Sequence, residues 1–335
     1  MNPGWKAVTV IAGLAILAGV GAFLLLSGSP SPSSVPDQIR IGAPGLEQNA
    51  LIYIALDRGF FLKNGLNVTL RDDYQTGVGP VSDMADGKQD LSVSAEYPVI
   101  GQIFSGRNVS IIASIDKYQN EQLIARKDSQ IRRITDLRGK TIGLPRGTIL
   151  EFFLGRLLEL NGLGIGDVTL VDVNTSHAVD AIDRREVDAI MYFQPHTTRI
   201  LDRLGDNAVV WPGQSNQSLY GVVAARNDWI ESHPRQINKF LQSLEEAREY
   251  SLTHPDDTKS IVKRHLNLTD EYLTGIWTDH TFTLSLDQSL LVAMSDEGRW
   301  MVINNLTAEK AVPDFRSSIS TAGLEKIKPV AVNIR

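Results

Sequence analysis

The chain has 335 residues, a formal net charge of −6 and no cysteine. That charge, with no basic run anywhere, excludes nucleic acid as a partner, because a phosphate backbone needs clustered Lys and Arg. The missing cysteine removes disulfides, thiolate metal sites, a cysteine nucleophile and a lipidated-cysteine anchor together.

Ala7–Leu26 is a run of 20 residues without a charged side chain. As a helix it spans roughly 30 Å, the thickness of a bilayer core. Lys6 is the only charged side chain before Asp37, so the positive-inside rule places it in the cytoplasm and the rest of the chain outside. The run exceeds the apolar core of a secretory signal, about 7–15 residues, and residues 1–27 are read as an uncleaved membrane anchor ahead of a cleaved signal. In Ser27–Asp37, 8 of 11 residues are Ser or Pro, so residues 28–36 read as an extended stalk. Six N-x-S/T sequons, at Asn67, Asn108, Asn174, Asn216, Asn267 and Asn305, suit an exported protein but carry little weight, since the pattern arises by chance.

From Asp37 onward short apolar strands alternate with amphipathic helices. Strands are expected at 38–42, 66–70, 91–94 and 109–114, with helices at 49–58, 78–86 and 98–105 between them. A second block repeats the style, with strands at 122–126, 140–144, 168–173 and 189–193 and helices at 148–160, 177–185 and 197–204. Strands near Val209 and at 220–225 follow, and the chain beyond Asp228 reads as mostly helical. Alternation of this kind implies an α/β fold with parallel sheets covered on both faces. Two such blocks suggest two lobes and a cleft, with residues 37–122 and 226–335 in lobe I and 123–225 in lobe II.

Ligands of open α/β sheets bind outside the carboxyl ends of the strands. Pro145-Arg146-Gly147-Thr148 joins a strand to the longest helix of the second block. Thr148 with Glu151 three residues on forms a capping box, and the same Gly147-Thr148 turn reads equally as an anion site at a helix N-terminus. The two readings compete, because a Glu151 side chain folded back weakens an anion site. Glu96 follows an apolar strand, where its carboxylate is placed either to hold a ligand ammonium or simply to cap and meet solvent; Tyr97 beside it can stack or hydrogen-bond. Gln48, Asn49, Gln75, Thr76, Gln119 and Gln194 are each ordinary polar loop residues, but together at strand ends they suit reversible binding of a small polar solute. No pair among the six histidines has metal-ligand spacing, and no Walker loop, G-x-S-x-G or dinucleotide fingerprint is present, so neither metal, cofactor nor catalytic residue is expected.

The order of several short stretches then resembles a family. Ile52-Tyr53-Ile54-Ala55 through Asp57-Arg58-Gly59-Phe60-Phe61 and Asn64-Gly65-Leu66, the Gly87–Asp90 turn, and Asp128-Ser129 with Asp136-Leu137-Arg138-Gly139-Lys140 are similar to stretches of nitrate/sulfonate/taurine-type substrate-binding proteins of ABC importers, which include a type that takes the pyrimidine precursor of thiamine. Gly147-Thr148, Asn161-Gly162-Leu163, Val187-Asp188-Ala189 and Gln194-Pro195 continue the pattern. The resemblance implies a type II periplasmic-binding-protein fold, two αβ lobes closing like a hinged trap, here behind an N-terminal transmembrane helix. It also implies a monomer outside the cell membrane that hands its solute to a permease and its ATPase, and is not an enzyme. Ile149-Leu150-Glu151 departs from the small hydroxyl residues that sulfonate binders carry after the turn. With Glu96 near the cleft and Tyr97, Phe193 and Tyr220 as aromatic walls, a small organic anion, a zwitterion or a nitrogen heterocycle is the expected ligand. Two other readings stand beside transport. One is a ligand-sensing lobe for a separate signalling partner; the other is a biosynthetic enzyme of the same fold.

Overall fold

The computed structural model describes residues 35–334 of the chain. The expected anchor and nearly all of the expected stalk therefore lie outside the described residues. Among the described residues no helix is long and apolar enough to cross a membrane.

Residues 37–334 form two sheets with helices packed around them. The first has six strands: β1 (Asp37–Pro44), β2 (Leu66–Tyr74), β3 (Leu91–Ala95), β4 (Val109–Tyr118), β10 (Leu219–Arg226) and β11 (His280–Ser285), in the order β11-β4-β10-β3-β1-β2. The second has five: β5 (Gln122–Arg126), β6 (Thr141–Leu144), β7 (Thr169–Asp172), β8 (Ala189–Tyr192) and β9 (Ala208–Pro212), in the order β7-β6-β8-β5-β9. β4, Val-Ser-Ile-Ile-Ala-Ser-Ile, is buried almost throughout, as a strand covered on both faces must be.

The expectation of purely parallel sheets is corrected. β1, β2 and β3 run parallel, and so do β6, β7 and β8, but β10 is antiparallel to both β3 and β4, and β5 is antiparallel to both β8 and β9. The reason is connectivity. A strand entering a sheet from the other sheet arrives without a crossover helix, and only a βαβ connection enforces parallel pairing. The tail beyond Asp228 is mostly helical, as expected, with one strand added, His280–Ser285, which pairs antiparallel with β4.

The chain crosses between the sheets twice, at Gln119–Glu121 and at Gly213–Ser218. The two crossings are bonded to each other. The Gly213 N–H donates to the Glu121 carbonyl at 2.8 Å, and the Glu121 N–H donates to Gln214 Oε1 at 3.0 Å. Gln214 Nε2 donates to the carbonyls of Tyr118 at 3.1 Å and Gln217 at 3.0 Å, and Gln119 Nε2 to Ser218 Oγ at 3.1 Å. A Cβ on Gly213 would fall 2.4 Å from Met191 Cε and 3.0 Å from the Glu121 carbonyl oxygen, so the close approach needs glycine.

A second seam joins the sheets' helices. Trp300, on the helix Gln288–Ile303, lies over Gly155 of the helix Ile149–Glu159, meets Phe152 edge-on at 5.8 Å and donates its indole N–H to Glu159 at 3.2 Å. A Cβ on Gly155 would stand 2.3 Å from the indole ring.

Candidate functional site

A cavity holding about 420 Å³ of empty space lies between the two sheets. Its wall comes from residues just beyond the carboxyl ends of β1, β3, β6 and β8, with Thr76 and Gly77 after β2 and Glu121 from the first crossing. That is where a doubly wound sheet exposes its free strand ends.

The polar side chains of the wall are Gln48, Thr76, Tyr118, Glu121 and Thr148, set among Leu46, Pro98, Ile149, Leu150, Phe193 and Leu219. Tyr118 donates its hydroxyl to Gln48 Oε1 at 3.1 Å, which commits that oxygen and leaves the amide nitrogen as Gln48's free hydrogen-bonding atom. Thr148 donates its hydroxyl to the Pro145 carbonyl at 2.7 Å. Thr76 Oγ1 accepts from the Val78 N–H at 3.4 Å.

Of the expected site residues, Gln48, Thr76 and Thr148 therefore share the cavity. Gly147 lines a neighbouring groove instead, together with Tyr97 and Arg146. Gln75 lines a different groove and accepts a short hydrogen bond from Thr175, which ties the first sheet's loops to the second's. Asn49 is fully buried under the cavity, where its amide donates to the Pro44 carbonyl and to Tyr53 Oη. Gln119 is exposed on the crossing, and Gln194 accepts from Thr198 at 2.8 Å. Neither belongs to the cavity wall.

Glu96 is fully buried and turned away from the cavity, accepting the Tyr220 N–H at 3.2 Å. Burial pushes its pKa up, and the carboxyl of Glu297, equally buried, is raised well above the usual range by burial and by the facing charge of Glu96. Tyr220 sits on β10 with its ring 5.0 Å from Lys117 Nζ. Tyr97 is buried with its hydroxyl unpartnered among the described residues.

The turn 145–148 resolves the competition that its sequence poses. Glu151 folds back and accepts the Gly147 N–H at 3.0 Å, and Arg146 forms an ion pair with the same carboxylate. The Arg146 N–H is held by Asp172 at 3.0 Å. The one cation beside the turn is thus already neutralised.

Sequence reasoning missed Glu121 and Gln214. Glu121 is 3% exposed, its Oε2 has no partner among the described residues, and burial raises its pKa well above the ordinary value. It stands one residue before a strand, a position that carries no local signal; only the crossing turns it into the cavity. Behind it lie two more buried acids. Asp116 pairs with His280 at 2.6 Å, while Glu47, close to the same histidine, is pushed up by burial.

The comparisons with known proteins agree with this architecture. The alkanesulfonate-binding protein SsuA from Xanthomonas axonopodis pv. citri, solved with MOPS, superposes with a TM-score of 0.73 at 15% identity, covering 90% of this chain and 100% of that one. The desulfurization enzyme DSZB superposes with a TM-score of 0.61 at 16% identity, covering 88% and 99%. These likenesses establish a periplasmic-binding-protein-like α/β fold, which therefore hosts both binders and enzymes. In sequence, the chain is 26% identical over 262 residues to the Bacillus subtilis (strain 168) protein named "Putative aliphatic sulfonates-binding protein", covering 76% of each. The model of the family described as NMT1/THI5 like matches residues 47–258, a span that takes in the whole second sheet, four of the first sheet's six strands, both crossings and most of the cavity wall, and the chain is a member of that family.

Proposed function

We propose that this chain is the extracytoplasmic solute-binding component of an ABC importer, holding a small organic solute between its two sheets and passing it to a permease. The observation that carries the reading is the cavity itself, walled by loops of both sheets and bridged by two bonded crossings. Such crossings let the halves rotate about a fixed line while the wall opens and closes. Drawn along the sheets, the lobes comprise residues 37–118 with 219–334 on one side and 122–212 on the other, which moves β10 out of the expected lobe II (123–225) and into lobe I. Gln48, Thr76 and Thr148 present neutral polar groups to the solute, which suits release as well as capture. Relatives named for aliphatic sulfonates, taurine and thiamine biosynthesis support organic sulfonates, taurine and thiamine-related solutes as candidates.

The shared fold of DSZB keeps an enzymatic reading in view. Against it, the described cavity wall holds no histidine, lysine or serine, its one carboxyl, Glu121, has no second acid or base beside it other than Tyr118, and the chain contains no cysteine. The 20-residue apolar run Ala7–Leu26 behind Lys6 supports a membrane anchor with the binding domain outside, and a Ser/Pro stalk at residues 28–36.

A thermal-shift screen of the full-length protein tests the reading. The panel holds alkanesulfonates, taurine, nitrate, bicarbonate, thiamine precursors, amines and amino acids. A solute at a hundred times its Kd stabilises the folded state by about 2.7 kcal/mol and raises Tm by roughly 5 °C. A shift confined to one chemical class, with the solute recovered unchanged, supports a binder. Turnover of the solute, or no shift with any compound, overturns it.

A further inference from the structure

Glu121 is the one acid or base, apart from the tyrosine Tyr118, in the cavity wall; no Lys, Arg or His lines it. Its carboxyl is more than nine-tenths buried, and Oε2 meets no donor among the described residues. A buried, unsatisfied carboxyl oxygen is costly, and proteins retain one where a ligand supplies the missing donor. Its backbone is pinned on both sides, the N–H by Gln214 and the carbonyl by Gly213, so the side chain is delivered to the cavity by the crossings themselves.

The surroundings point the same way. Arg146, the nearest cation to the anion-type turn, is spent on Glu151, and the Gly147 N–H is spent on the same carboxylate. Glu47 and Asp116 are buried behind Tyr118, and the histidine His280 is committed to Asp116. An anion in this cavity meets an excess of acids and no free cation, whereas a nitrogen cation meets Glu121 with the rings of Tyr118 and Phe193 in the same wall.

Resting on the solute-binding reading, we infer that the solute carries a protonated nitrogen, as an amine, amidine or protonated heterocycle, and that Glu121 is the residue that selects it by receiving that nitrogen's N–H at the hinge. Burial raises the pKa of this carboxyl in the empty cavity and a nitrogen cation docked there lowers it again, so binding at a pH between the two values releases protons to solvent. The contact also ties the solute to the segment about which the lobes turn.

The test uses the full-length protein and isothermal titration in two buffers of different ionisation enthalpy. The ligands are three matched pairs: taurine with ethanesulfonate, butylamine with butanol, and benzamidine with benzamide. Wild type is expected to bind a nitrogen cation at least about tenfold tighter than its partner, with about one proton released per ligand. Glu121→Gln, isosteric and free of the buried charge, loses both the preference and the proton, while Glu121→Asp keeps the proton release. Equal or tighter binding of the partners that lack a protonated nitrogen, or an unchanged preference in Glu121→Gln, overturns the assignment of Glu121. A screen hit without a basic nitrogen also overturns it yet leaves the solute-binding reading intact; no hit in the full panel removes the reading itself.

Discussion

At the scale of single residues, Gln214 shows how one amide can hold two chain crossings. It is 4% exposed and makes three hydrogen bonds, to the Glu121 N–H and to the Tyr118 and Gln217 carbonyls. Truncation to Ala strands a buried N–H and two carbonyls, each costly to leave unpaired. Gln214→Ala is expected to lose about 2–4 kcal/mol in urea unfolding; a loss below about 0.5 kcal/mol would show that water replaces the amide freely. Neither Gln214 nor Glu121 was legible in the sequence, because each gains its role from a partner some 90 residues away. Glu96 was legible as a carboxylate at a strand end. Its direction was not, since the Tyr220 N–H that captures it arrives on a strand 124 residues later. Gly147 and Glu151, by contrast, bond across one turn, and the spacing alone announced the contest that Glu151 wins, though through the Gly147 N–H and not through a capping box with Thr148.

At the scale of elements, the helix Glu96–Phe104 and the helix Gln288–Ile303 meet through a pair of carboxyls, Glu96 and Glu297. Both carboxyls are held above their ordinary pKa, Glu96 to about 8, with burial the main cause. A raised acid binds more protons folded than unfolded, so its stabilising effect is complete below the unfolded value and is lost as pH rises through the folded one. His280 contributes in the same sense, because Asp116 raises its pKa against the cost of burial. His196, lowered to about 4 by burial and by Arg199, acts oppositely, but only below its unfolded value. The Tm of the ligand-free protein should therefore fall between pH 7 and pH 9, and Glu297→Gln should flatten that fall. A profile in Glu297→Gln parallel to wild type would remove the pair as its cause. Elements were the most legible level of this protein. Apolar runs such as Val-Ser-Ile-Ile-Ala-Ser-Ile marked strands by themselves, and Gly59, at φ +70°, marked a helix end that other residues reach only with strain. β11 was missed because His-Thr-Phe-Thr-Leu-Ser has few apolar residues; β4 beside it supplies the ladder.

At the scale of the whole molecule, the loops of the two sheets touch through Thr175 and Gln75 across the gap. Thr175→Val removes the donor but keeps the shape. It is expected to speed solute release by about three- to tenfold, in line with about 1 kcal/mol for one hydrogen bond, with little change in capture rate. Stopped-flow dissociation measures it, and an unaltered rate would mean that the bond is absent from the liganded state. Ligand should also shrink the radius of gyration in solution scattering, as closure of two lobes requires. Identical scattering with and without a saturating solute would mean that the cavity fills without rotation.

The indole of Trp300 resting on the bare backbone of Gly155 has a consequence for traffic. Two grooves adjoin the cavity, one sharing Pro98 with it and the other sharing Pro44, Leu46 and Phe193. Beside the first, the helices are already in van der Waals contact, with no side chain on Gly155 to retract. The second groove carries the aromatic ring of Phe193, which also lines the cavity. Because that ring belongs to the cavity wall as well, Phe193→Ala is expected to change both the affinity inside and the rates of capture and release, which stopped-flow association and dissociation measure together.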